Sequence, residues 1–229
     1  KGIEMGDCKS DENFLEQVLQ RDYFWNLRDI TDGVRTPVLR DKVFRGACLA
    51  HLSELELDNF LRRTKIEWIV DLRNDVEWKR RPYPIDFPVT VVRCPTGNLT
   101  ERPMGWPEPE LASHRDYIGY LVDLICHIPK ILTLLASQKS GYIHCYAGRD
   151  RTGAVCALIL RLLGCNSDEI EISYSMSSEV DMKAIRSLTS WFGDDNVFNS
   201  ILADIGVDGL LARKTRAALL ESPKLVAGR

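Results

Sequence analysis

The chain has 229 residues, 45% of them hydrophobic, enough to bury a sizeable core and better matched to one large domain than to two small ones. Thirty Lys and Arg against 33 Asp and Glu leave a net charge of −3, which excludes a global basic field for nucleic acid or an anionic membrane. Seven cysteines without CxxC pairs or His/Cys ligand spacing argue for reduced thiols over a zinc site or a disulfide scaffold.

No apolar run approaches the ~20 residues of a bilayer span. The start KGIEMGDCKS lacks the apolar segment of a signal peptide, so the cytoplasm is the expected compartment, with secretion of the natural protein left open. Residues 1–22 read as an N-terminal segment, helical or partly flexible, and 23–229 as a single domain. VLRDKVF (38–44) reads as an edge hairpin arm and SELELDNFLRR (53–63) as a helix capped by Ser53. IEWIV (66–70) and PVTVV (88–92) read as strands, with RNDVEWKRR (73–81) between them as a short helix stopped by Pro82. TGNLTERPMGWPEPE (96–110) is the one long loop. From Ser113 the apolar residues Tyr117, Tyr120, Leu121, Leu124, Ile125, Ile128, Ile131, Leu132 and Leu135 keep helical spacing, and Pro129 is expected to kink or divide that helix. GYIHC (141–145) reads as a strand and Thr152 to Leu163 as a central helix ending at Gly164. Helical patterns continue through 166–220. The expected fold is α/β, a central and mostly parallel sheet flanked by helices, with additional C-terminal helices. Cys48, Cys94, Cys126, Cys156 and Cys165 read as small core fillers, with Cys48 or Cys94 as a conceivable disulfide partner for Cys145.

Between that last strand and the central helix lies HCYAGRDRTG (144–153). A tight loop from a strand end to a helix start turns main-chain N–H groups inward, and with the helix dipole it makes a cradle sized for phosphate or sulfate. Tyr146, Ala147, Gly148, Arg149 and Thr152 are the candidate phosphate-binding residues, with Gly148 curling the backbone where a Cβ could crowd the anion. Cys145 sits on the cradle floor, where such donors favour a nucleophilic sulfur anion. Arg151, six positions on, can fork onto two phosphate oxygens. A buried strand-end thiol is the bland alternative, but it asks for no Gly148, Arg151 and Thr152 at fixed offsets.

HCYAGRDRTG fits the HC-x5-R-S/T signature and resembles the cysteine-dependent protein tyrosine phosphatases at His144, Cys145, Gly148, Arg151 and Thr152. NLRDI (26–30), VFRGACL (43–49), IVDLRNDVEW (69–78) and the C-terminal helices resemble the bacterial and fungal branch with NFRD, FRS, DLR and HCxAGKDRTG motifs, over most of 23–220. The resemblance implies a phosphatase fold and a phosphocysteine formed on Cys145, with Thr152 bonding the departing sulfur and no metal or cofactor. It implies a phosphorylated protein or a phosphoinositide as partner. Phosphotyrosine is the favoured substrate, with dual-specificity, phosphoinositide or inositol polyphosphate hydrolysis as alternatives. Arg149 stands where that branch carries a lysine associated with extra inositol phosphates, and Leu27 replaces an aromatic.

Three residues compete as general acid. Asp150 matches the branch, Glu108 lies in a Trp-Pro-acid triplet, and Asp71 follows a strand in DLR. Asp71 and Arg73 are equally readable as a buried ion pair, and His144 as an orienter of the loop. A catalytically silent phosphate-binding module and a thiol redox or sulfur-transfer protein are the rivals from other classes.

Overall fold

A computed structural model of the chain describes residues 26–84, 86–97, 101–107 and 116–221. The expected N-terminal segment and the candidate acid Glu108 lie outside the described residues. Strands β1 (Arg28–Asp29), β2 (Val43–Gly46), β3 (Trp68–Asp71), β4 (Thr90–Arg93) and β5 (Gly141–His144) form one sheet in the order β1-β2-β5-β3-β4. Only β1 runs antiparallel to its neighbour, so the sheet is mostly parallel, and β5 sits at its centre. Such sheets need both faces covered. The helices that cover them are α1 (Glu54–Thr64), α2 (Asp75–Arg80), α3 (Tyr117–Asp123), α4 (Ile128–Ala136), α5 (Asp150–Leu162), α6 (Ser167–Ser175), α7 (Met182–Phe192), α8 (Asp195–Asp204) and α9 (Gly209–Leu219).

Strand alternation divides the core. Trp68, Val70, Ile143 and Cys145 join the larger cluster under α3 to α9, whereas Ile69 and Tyr142 face a smaller one with Phe60, Tyr83 and Cys48. The helices start where local chemistry starts them. Ser53 with Glu56, and Asn74 with Glu77, form reciprocal capping boxes at α1 and α2, each satisfying two otherwise orphaned donors.

Two expectations need correction, and a third is resolved. The segment read as an edge arm supplies β2, an interior strand parallel to β5 with Val43 opposite Gly141; the two-residue β1 takes the edge. Of the two outcomes expected at Pro129, the helix is divided rather than kinked, and Pro129 follows the break. It lies in the first turn of α4, where its missing N–H costs nothing, and α3 and α4 meet at 84°. Cys126 falls in that break and is exposed rather than a core filler. Cys48, Cys94, Cys156 and Cys165 are buried, and burial pushes the Cys48, Cys94 and Cys165 thiols up to about 11. Among the described residues no single helix is long and apolar enough to cross a membrane.

Candidate active site

The open end of the sheet, beyond the carboxyl ends of its parallel strands, is where α/β folds hold ligands. There β5 ends, the chain makes a five-residue loop from Cys145 to Arg149, and α5 begins at Asp150. The loop carbonyls are claimed from outside, one after another. His144 Nδ1 donates to Cys145 O at 2.7 Å, the Cys48 amide to Tyr146 O at 3.1 Å, Asn26 Nδ2 to Ala147 O at 2.8 Å, and Arg45 to Gly148 O at 2.7 Å. In a trans peptide the N–H points opposite the preceding C=O. Fixing the carbonyls of 145–148 outward therefore fixes the amides of 146–149 toward the other side, where they find no acceptor among the described residues.

Gly148 has φ +69°, a left-handed conformation that costs other residues. A Cβ there would lie 2.0 Å from the Gly46 carbonyl carbon and 2.6 Å from the Ala47 amide. The neighbouring backbone at the end of β2, rather than an anion, is thus what demands glycine.

Cys145 is buried, 2% exposed, at the head of this loop. Arg151, in the first turn of α5, is gripped by Glu77 of α2, with Nη1 to Oε2 at 2.5 Å and Nη2 to Oε1 at 2.7 Å. Burial works against the Arg151 charge, but the Glu77 fork and the nearby Cys145 and Glu77 charges raise its affinity for the proton overall. Burial likewise opposes ionisation of Glu77, and the Arg151 hydrogen bonds outweigh it, holding the carboxyl below its ordinary range. Glu77 already closes the α2 capping box, so one carboxylate joins a helix start to the loop arginine. Thr152 is fully buried, and its hydroxyl has no hydrogen-bond partner among the described residues.

The DLR residues form a support. Asp71 and Arg73 are 0% and 1% exposed and pair at 2.8 Å. Burial favours the neutral acid, but the Arg73 hydrogen bonds and charge offset it, so Asp71 stays below the usual carboxylate range. His144 is fully buried, and burial lowers its proton affinity, so the ring is neutral. Because a carbonyl only accepts, Nδ1 carries the proton given to Cys145 O, and Nε2 accepts from the Tyr83 hydroxyl at 3.0 Å. Tyr83 accepts in turn from the Leu49 amide. With His144 neutral, Arg73 is the cation that balances Asp71.

Asp150 is placed differently, at the rim of the loop. Its Oδ1 accepts from the Tyr117 hydroxyl at 2.8 Å, and both carboxyl oxygens meet Arg149 Nε at 3.2 Å. Arg149 also pairs with Glu179. Tyr146 stands half exposed, edge-on to His51. The structure thus gathers Cys145, Arg151, Asp150 and Thr152 around one loop and sets Asp71, Arg73 and His144 beneath it. The sequence reading missed Glu77 and Asn26 as loop supports. Glu77 looked like an ordinary helix charge; the asparagine and glutamate three residues apart that signal a capping box were its only local mark.

The sequence model of the tyrosine phosphatase family matches residues 19–218. The chain is 26% identical to the triple specificity protein phosphatase PtpB of Mycobacterium tuberculosis over 187 residues, 68% of this chain and 67% of that protein. Among solved structures it is similar to the core catalytic domain of the PP-IP phosphatase SIW14 of S. cerevisiae, at 14% identity and TM-score 0.43 over 70% of this chain and 86% of that one. It is also similar to TpbA of P. aeruginosa, at 16% identity and TM-score 0.35 over 87% and 98%. The family match spans most of the chain and includes the Cys145 loop, and the chain accordingly belongs to the tyrosine phosphatase family of cysteine-dependent phosphatases.

Proposed function

We propose that the protein hydrolyses phosphomonoesters through a phosphocysteine, with phosphotyrosine in a protein or peptide as its substrate. The observation that carries this reading is the run of amides at 146–149 beside Cys145, turned away from their claimed carbonyls and without acceptors among the described residues. Such donors, fixed before the ligand arrives, stabilise the equatorial oxygens of a transferring phosphoryl group without reorganising.

In the first step Cys145 Sγ forms a bond to phosphorus as the ester P–O bond breaks, and Asp150 gives its proton to the departing phenol oxygen. Arg151 follows the phosphoryl charge with the edge of its fork that Glu77 leaves open. In the second step water attacks phosphorus, the S–P bond breaks, and the water proton passes to the Asp150 carboxylate. The Thr152 hydroxyl, without a partner among the described residues, supports a role in bonding the sulfur as it leaves.

Asp150 is preferred over Asp71 because Asp71 is sealed beneath the loop and committed to Arg73. Phosphotyrosine is preferred over inositol phosphates because the guanidinium of Arg149 is already shared between Asp150 and Glu179, which leaves little of it for a second phosphate. The specificity named for the mycobacterial relative supports a range wider than one ester class.

Hydrolysis of an aryl phosphate by the wild type, without added metal, and its loss in Cys145→Ser test the chemistry. Phosphate binding without turnover would instead mark a silent binding module. A panel of phosphopeptides and phosphoinositides compared by kcat/KM tests the substrate, and higher efficiency on inositol phosphates would overturn the preference for phosphotyrosine.

A further inference from the structure

Two tyrosines from distant parts of the chain meet behind the rim aspartate. Tyr117 opens α3, Tyr174 lies in the last turn of α6, and each is 2% exposed. Their hydroxyls are hydrogen-bonded to one another. Tyr117 reaches Asp150 Oδ1 at 2.8 Å, and the main-chain amide of Asp181 donates to the Tyr174 hydroxyl at 3.1 Å.

The direction of this row follows from its ends. An amide N–H only donates and a carboxylate only accepts. The single proton of Tyr117 is therefore given to Asp150, and its oxygen must accept from Tyr174, whose own oxygen receives the Asp181 amide. Burial, the bond to Tyr174 and the Asp150 charge all raise the proton affinity of Tyr117, so it remains a donor throughout the working range.

The sequence makes room for the arrangement. Gly153 lies one turn into α5, and a Cβ there would come within 2.9 Å of the Tyr174 ring. Glycine at this helical position costs intrinsic stability and admits the aromatic that supports Tyr117.

We propose that Tyr117, backed by Tyr174, is a positioning residue for the general acid: its bond to Oδ1, together with the Arg149 Nε that lies 3.2 Å from both oxygens, fixes the rotation of the Asp150 carboxyl and so the direction in which its proton is offered. The proposal rests on the reading of Asp150 as the acid. A carboxyl free to turn would present its proton in the wrong direction for part of the time, and misplacement of a reacting group by an ångström costs rates steeply.

The test compares kcat/KM on phenyl phosphate, whose leaving group needs a proton, with that on 2,4-dinitrophenyl phosphate, whose leaving group does not. Tyr117→Phe keeps the ring and removes the donor. We expect a fall of about 10-fold to 100-fold on phenyl phosphate, part of the roughly 10²- to 10⁴-fold that a general acid contributes, with the dinitrophenyl ester changed less than about 3-fold. Adding Tyr117→Phe to Asp150→Asn should then cost little more than Asp150→Asn alone, since groups acting as a unit are not additive. Tyr174→Phe should give a smaller loss of the same selectivity, because Tyr117 keeps its own proton. Equal losses on both esters, or no loss, would overturn the positioning role. Selective loss in Asp150→Asn with none in Tyr117→Phe would overturn it while leaving the acid standing; no selectivity in Asp150→Asn would overturn the acid assignment, and the role of Tyr117 with it.

Discussion

Glu77→Gln tests whether the loop arginine is held in place before substrate arrives. Glu77 accepts two charge-assisted hydrogen bonds from Arg151 and a third from the Asn74 amide. Glutamine keeps one oxygen and can retain the cap with one arginine bond, but not the whole fork. Charge-assisted bonds contribute about 1.5–3 kcal/mol each, but the two side chains are 16% and 21% exposed, and solvent screening reduces that. A net destabilisation of about 1–2 kcal/mol follows, which for a domain of this size lowers Tm by about 2–8 °C. The kinetic effect has the same origin. An Arg151 that samples other rotamers loses about 1.4 kcal/mol of preorganisation if kcat/KM falls tenfold, and we expect a fall of that order on an aryl phosphate. Thermal melts and steady-state kinetics on the same preparations read both quantities. A loss of stability with kcat/KM unchanged would refute the reasoning, since Glu77 would then cap α2 without acting on catalysis.

Gly148→Ala should destabilise by about 2–4 kcal/mol, combining a left-handed φ with overpacking against a backbone 2.0 Å away, and should abolish aryl phosphate turnover; a melt within 2 °C of wild type would contradict it. Tyr83→Phe leaves His144 Nε2 and the Leu49 amide without the hydroxyl between them, for a loss of about 1–3 kcal/mol in urea unfolding. Stability should also fall with acid in two windows. His144 has a lowered folded pKa, so the unfolded chain binds its proton first and stability declines as pH drops below about 6.5. Asp71 and Glu77 have lowered folded pKa values, so their contribution is present above about 4 and is lost as pH falls through the folded values; urea midpoints from pH 7 to 3 that rise on acidification would contradict both signs.

How much of this was legible in the sequence depends on how local the determining contact is. The loop was legible because its chemistry fixes residue types at fixed offsets within ten positions, from His144 to Gly153. The capped helices were legible for the same reason: Ser53 and Glu56 satisfy each other across one turn. The rank of β2 in the sheet was not, because Val43 and Gly141 pair across nearly a hundred residues and both edge and interior strands are apolar. Tyr117 read as one more residue of an apolar helical stripe, and its ring does lie in the core; only the fold shows that its hydroxyl meets Asp150. Glu77 failed similarly, since its local role in the cap accounts for it completely until Arg151 is seen across the site.

The supports of the loop share one logic. Asn26, the Arg45 side chain with the Cys48 amide, and His144 come from three separate stretches of chain, and between them they take the loop carbonyls. Had these carbonyls bonded to amides within the loop, the structure would have been a closed turn with nothing left to offer an anion. Drawing the acceptors away to the scaffold is what leaves the donors over, and buried donors without acceptors are costly. That cost is recovered when a dianionic phosphate arrives, so the same bonds that make the empty loop expensive make its binding favourable. Arg45 carries the idea further. It is 2% exposed and donates to the carbonyls of Gly148 and Arg149, and among the described residues no carboxylate pairs with it. A buried cation without a counter-ion is costly, and the carbonyls it bonds offset part of that cost while its charge adds to the field that the amides and the start of α5 direct at the phosphoryl group.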